Sequence, residues 1–136
     1  MPEQRLRVNV DGGARGNPGP AAIAAVVQGS DGELLEERSE TIGEATNNVA
    51  EYRALLLGIE RAAALGAGSV ELIGDSELIV RQVKGEYKVK DETLSALHTK
   101  VIAALAGFDE WSISHVRRER NAEADRLVNE ALDGAG

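Results

Sequence analysis

The chain contains no cysteine. That excludes a disulfide framework and any thiolate metal site, and it fits a reducing compartment. No apolar run approaches the roughly 20 residues of a membrane span, and no signal-peptide core is visible, so a cytoplasmic protein without membrane association is expected. A basic excess is missing too, since the formal charge is −8 at pH 7. Taken alone, that charge argues against nucleic-acid binding through a broad basic surface. The objection weakens if some of the acids are metal ligands, because two divalent cations would halve it. Repeats, linkers and low-complexity tracts are absent. A length of 136 residues at 43% hydrophobic composition suits one globular domain, 1–136, with its own core, expected as a monomer.

Residues 5–11 alternate, with Leu6, Val8 and Val10 on one face and Arg7, Asn9 and Asp11 on the other, as in a half-buried strand. A turn dense in glycine and proline follows over 11–20 and is expected to stand up as a shaped loop. Residues 20–28 and 33–42 flank the turn signal Ser30-Asp31-Gly32, which predicts an antiparallel meander. Thr46-Asn47-Asn48 opens a helix to about Leu65, ended by Gly66 and Gly68. A short strand over 70–75 precedes a helix from Ser76 to Lys84-Gly85. Asp91 then caps a helix whose stripe is Leu94, Leu97, Val101, Ile102 and Leu105. The last strand, 110–116, carries Trp111, Ile113 and His115 on one face. His115 is read as a hydrogen-bonded core residue and His98 as surface or stripe edge. A charged loop, Arg117-Arg118-Glu119-Arg120, leads to a final helix over 121–132. The order βββαβααβα mixes hairpin and crossover connections, which means an α/β domain with one mixed sheet covered by helices.

Four acids stand at element edges: Asp11 and Asp75 at strand ends, Glu51 in a helix's first turn, and Asp125 in the first turns of the last helix. Each has an ordinary reading. Asp11-Gly12-Gly13 is a turn signal. Glu51, three residues after Asn48, fits a capping arrangement. Asp75 could cap the helix that follows it, and Asp125 gains from a helix dipole. Together they read differently, because the ends of the first and fourth strands can be neighbours, faced by helix N-terminal turns. Carboxylates gathered without basic partners repel, and such clusters persist mainly where divalent cations occupy them. Oxygen ligands without Cys or His select hard ions, so Mg²⁺ or Mn²⁺ is expected. Two such ions about 4 Å apart suit an in-line phosphoryl displacement.

Four stretches carry a family resemblance: Val10-Asp11-Gly12-Gly13-Ala14-Arg15-Gly16-Asn17-Pro18-Gly19, Thr46-Asn47-Asn48-Val49-Ala50-Glu51-Tyr52, Gly74-Asp75-Ser76 and Asn121-Ala122-Glu123-Ala124-Asp125. In this order they resemble ribonuclease H of type 1, over residues 8–129. The resemblance implies the ribonuclease H-like fold, a five-stranded mixed sheet in order 3-2-1-4-5 with the first three strands antiparallel and helices on both faces. It implies hydrolysis of the RNA strand of RNA·DNA hybrids, leaving a 5′-phosphate and a 3′-hydroxyl. Two Mg²⁺ ions, which Mn²⁺ could replace, would be held by Asp11, Glu51, Asp75 and Asp125 with the backbone of Gly12. Gly12, Gly13, Ala14, Asn17, Asn47, Asn48 and Ser76 would contact the hybrid, where short amides suit recognition of a 2′-hydroxyl. The glycine turn is not a phosphate-binding P-loop, since no Gly-Lys-Ser/Thr follows.

Three departures stand out. The loop before Asp125 lacks the histidine that many members carry, as in a compact branch with an arginine there, and Arg118 is the candidate for that role. The Lys- and Arg-rich helix that some members insert before the third helix is missing, and Lys84-Gly85-Glu86-Tyr87-Lys88-Val89-Lys90 crosses directly. Glu77 stands where glutamine is frequent. Double-stranded RNA as a further substrate, and a non-catalytic binding domain on the same fold, are the alternatives.

Overall fold

The computed structural model describes residues 4–135; residues 1–3 and 136 of the expected 1–136 domain lie outside the described residues. The strands are β1 (Gln4–Ala14), β2 (Gly19–Gly29), β3 (Leu34–Ala45), β4 (Ala67–Gly74) and β5 (Glu110–His115). The helices are α1 (Asn47–Ala64), α2 (Glu77–Val83), α3 (Glu92–Leu105) and α4 (Ala122–Ala135), with a 3₁₀ turn at Arg118–Asn121. One sheet runs β3-β2-β1-β4-β5. Its first three strands pair antiparallel and β1, β4 and β5 pair parallel, so the expected order and mixture are both found.

Alternation along β1 and β2 divides the structure into layers. Leu6, Val8 and Val10 join Ala21, Ile23 and Ala25 in the main core under α1, to which α3 adds Leu94, Val101 and Leu105. The intervening residues Ala22 and Ala24 face the other way, against Val128 and Leu132 of α4. Helices therefore cover both faces. Helix α1 lies close on β1 because of Gly58, where a Cβ would come 2.7 Å from Val10 Cγ1 and 2.9 Å from Val8 Cγ1.

Several boundaries differ from the sequence expectation. Gly12, Gly13 and Ala14 belong to β1 and pair with Ile23, Ala22 and Ala21, so the loop shrinks to residues 15–18. The physical reason is that the β1–β2 ladder continues, through Arg15 N–H donating to the Pro20 carbonyl at 2.8 Å. Gly66 ends α1 at φ +85°, but Gly68 is already in β4. Asp91 occupies the N-cap position of α3 without a side-chain capping bond. His115 is exposed, not in the core: β5 is an edge strand, and of its expected inner face only Ile113 is buried. His98 is half-buried, its ring edge-on to Tyr52, with Nε2 3.1 Å from the Gln82 carbonyl.

Candidate active site

The acids meet beside β1, the strand at which the sheet changes from antiparallel to parallel pairing. Asp11 lies near the end of β1, and Asp75 follows directly on β4, its parallel neighbour. Glu51 enters from the second turn of α1, not the first, because Thr46 is the N-cap and accepts from Val49 N–H at 3.2 Å. That frees Glu51 from capping. One carboxylate oxygen from each of Asp11, Glu51 and Asp75 lies within 4.8 Å of the others.

Gly12 makes this closeness possible. A Cβ there would fall 2.3 Å from the Ala50 carbonyl oxygen, so only glycine lets α1 press its backbone onto the strand end. The Gly12 N–H then donates to Glu51 Oε1 at 2.9 Å. Ser76, not Asp75, caps α2, its hydroxyl accepting from Ile79 N–H at 3.4 Å. Asp75 Oδ2 is buried without a hydrogen-bond partner among the described residues. A buried carboxylate oxygen without a partner, on a residue grouped with two other acids, is costly for a protein to hold and natural for a cation to fill.

The electrostatics agree. Burial first, then the charges of Glu51 and Asp75, a hydrogen bond with Glu51 and the charge of Asp125 push the Asp11 carboxyl up from 3.8 to about 9. Burial likewise raises Glu51, from 4.5 to about 7, against the lowering effect of the Gly12 N–H; Asp75 adds to the rise and Arg118 opposes it. Free of cations, the pair therefore retains a proton near neutrality.

Asp125 is half-buried on α4 and lines the same cleft, outside the close trio. The cleft, of about 440 Å³, is also lined by Gly12, Gly13, Ala14, Asn47, Asn48, Ser76 and Arg118. Asn17 is an exposed loop residue outside the cleft lining, tied to it through its Oδ1, which accepts the Asn47 backbone N–H at 3.0 Å. Asn47 Oδ1 in turn accepts from Ala14 N–H at 2.8 Å. The glycine loop, the end of β1 and the start of α1 are thus tied into one belt by two asparagines.

Two contributors escaped the sequence reading. Arg15 lines the cleft from the loop and pairs with Asp133 of α4 at 2.7 Å. Asn121 is 1% exposed and bonds to β1 from the turn before α4. Both residues stand in stretches that carry the resemblance, but neither was given a role there.

A family model described as reverse transcriptase-like matches residues 9–131. A ribonuclease HI of Halobacterium salinarum is 47% identical over 131 residues, covering 96% of this chain and 66% of that protein. The crystal structure of RNase H1 from the same archaeon superposes with a TM-score of 0.94 at 46% identity, over 96% of this chain and 98% of that one. The structure of LC11-RNase H1 in complex with an RNA/DNA hybrid gives a TM-score of 0.91 at 46% identity, over 96% and 98% of the two chains. The chain therefore spans just under two thirds of the halobacterial relative's length.

Proposed function

The chain belongs to the ribonuclease H family of type 1, and on that premise we propose that it is a metal-dependent endoribonuclease hydrolysing the RNA strand of RNA·DNA hybrids. The observation that carries this reading is the trio Asp11, Glu51 and Asp75, one member of which keeps a buried oxygen without a partner among the described residues, in a cleft lined by glycine backbone. The family likeness to a protein solved on a hybrid supports the substrate. We assign the whole of 1–136 to one catalytic domain, acting as a cytoplasmic monomer.

The donor set is all oxygen, which fits Mg²⁺ or Mn²⁺. Asp11, Glu51, Asp75 and Asp125, with the Gly12 backbone, would hold two such ions. When bound, the ions supply Lewis acidity to the scissile phosphate and to a water, giving a 5′-phosphate and a 3′-hydroxyl. The residues of the chain supply the rest. Glu51 is fixed by the Gly12 N–H, which lowers the entropic cost of offering its carboxylate to a cation. Asn47, its carbonyl oxygen committed to Ala14, offers its NH₂ to a ribose hydroxyl. Gly12, Gly13 and Ala14 let a sugar approach the backbone, with Asn17, Asn48 and Ser76 around it. Arg118 brings a positive charge to the cleft wall, suited to a phosphate oxygen.

Labelled RNA·DNA, RNA·RNA and DNA·DNA duplexes tested with each metal decide the matter. Cutting of the RNA strand of the hybrid is expected, with double-stranded RNA cut more slowly or not at all. Cleavage of none would leave a binding domain on this fold instead.

Hybrid affinity should be modest. Between α2 and α3 the chain crosses without an additional helix, and its cations there are Lys84, Lys88 and Lys90, beside Glu86. If all three lysines meet phosphates, log Kd should change with log salt by a slope of about 3. Fluorescence anisotropy of an Asp75→Asn variant on a hybrid, across a salt series, measures it. A tight complex with a slope of about 7 or more would require a basic surface that this crossing lacks.

A further inference from the structure

We propose that Asn121 is a positioning residue, holding Asp125 and Arg118 at the acid trio by locking the head of α4 to β1. The proposal rests on the nuclease reading for its catalytic consequence and on the geometry for its structural one.

Arg117, Arg118, Glu119 and Arg120 are all exposed, yet the next residue is the amide of Asn121, 1% exposed. A primary amide buried so deeply is costly unless both its ends are satisfied. Here they are. Asn121 Oδ1 accepts from Asn9 Nδ2 at 3.0 Å, and Asn121 Nδ2 donates to the Val10 carbonyl at 2.8 Å. The pairing of β1 with β4 ends with Asn9 opposite Ile73, so the amide grips β1 one residue further along, immediately before Asp11.

Position in the chain gives this grip its consequence. Asp125 lies four residues after Asn121, in the first turn of the α4 helix that Asn121 precedes. Arg118 lies three residues before it, at the other end of the 3₁₀ turn. Both residues line the cleft of the acid trio from this one segment. Further along, α4 is held by apolar contact of Val128 and Leu132 with Ala22 and Ala24. Such packing sets the helix's height over the sheet but tolerates sliding, whereas two directed hydrogen bonds fix its register along β1. An aspartate at 121 could not donate to the Val10 carbonyl, and an alanine would leave that carbonyl and the Asn9 amide without this partner.

The test compares Asn121→Ala, Asn121→Asp and Asn9→Ala with Val101→Ala, a core change in α3 remote from the cleft, on the same hybrid with Mg²⁺. Loss of kcat by about 10- to 100-fold with KM changed less than about threefold is expected for the Asn121 variants. A smaller loss of the same kind is expected for Asn9→Ala, which removes one bond of the two. Val101→Ala should lower the melting temperature and leave kcat in place. If the Asn121 variants do not fold, Asn9→Ala decides alone. A kcat unchanged, or falling only in step with melting temperature as in Val101→Ala, would overturn the proposal. Amide hydrogen exchange over residues 124–127 supplies a readout independent of cleavage, so an inactive wild type would count against the nuclease reading and not against this one. Protection there should drop at least about tenfold in Asn9→Ala relative to Val101→Ala; unchanged protection would also overturn the proposal.

Discussion

Asp75→Asn should reduce Mg²⁺-dependent cleavage of a hybrid by at least about 10³-fold, roughly 4 kcal/mol at the transition state, while the melting temperature holds or rises. The two halves of this result have one cause. Asp75 Oδ2 is buried with no hydrogen-bond partner among the described residues, so neutralising it removes no bond that the fold uses. The capping of α2 is likewise untouched, since Ser76 performs it. Asparagine keeps the shape but gives up the charge on which cation binding depends. Single-turnover cleavage and a thermal melt on the same preparation measure both halves. A variant that cut at near the normal rate would remove Asp75 from the metal set, and one that unfolded would make it structural.

Asp11→Asn carries the second large effect, on stability in the absence of metal. Burial and the neighbouring acids raise the folded-state pKa of Asp11 to about 9 and that of Glu51 to about 7, above their ordinary values of 3.8 and 4.5. A carboxyl whose folded pKa lies above its unfolded one binds more protons when folded. Its penalty is therefore absent below the unfolded pKa, near pH 4, and grows as pH rises toward the folded value. Metal-free protein should lose stability from about pH 4 through neutrality, levelling off near pH 9. Asp11→Asn removes the carboxyl that must take up a proton, or bear an unfavourable charge, when the protein folds without metal. At pH 8 in chelator it should be more stable than the parent by on the order of 2 kcal/mol, about 5–10 °C in melting temperature, with little difference at pH 4. Added Mg²⁺ should reverse the ranking at pH 8 by stabilising the parent more. Melts at pH 4, 6 and 8, with and without the ion, check this. A substitution that destabilised equally at every pH would mean that Asp11 serves the fold through hydrogen bonding instead.

How much of this was legible depends on what each residue needed. Asp11 could be read because period-two alternation runs up to it and Asp75 because a short apolar run ends there, and parallel neighbours bring such ends together. Glu51 was found as an acid but placed a turn too early, since Thr46 and Asn48 are both good caps and local sequence does not rank them. Gly12 and Gly13 looked like turn formers. What makes Gly12 necessary is the Ala50 carbonyl, 38 residues away in sequence, and no local pattern carries that contact. The same holds for Asn121, whose partners Asn9 and Val10 lie at the opposite end of the chain. His115 shows the converse error: alternation names a face, but on edge strand β5 that face is covered only around Ile113. Contacts of long sequence separation are where the reading stopped, and they hold most of the precision of the site.

The most direct test of the central claim, that these carboxylates assemble a cation-dependent hydrolytic centre for RNA in hybrids, is the end chemistry of the cleaved strand. A hybrid labelled on both strands is incubated with the protein in Mg²⁺ and, in parallel, in chelator. RNA fragments ending in 5′-phosphate and 3′-hydroxyl, an intact DNA strand and no cleavage in chelator are expected, because attack comes from water. Fragments ending in a 2′,3′-cyclic phosphate, or cleavage that persists in chelator, would assign the attack to the ribose 2′-hydroxyl and contradict the role given to Asp11, Glu51, Asp75 and Asp125.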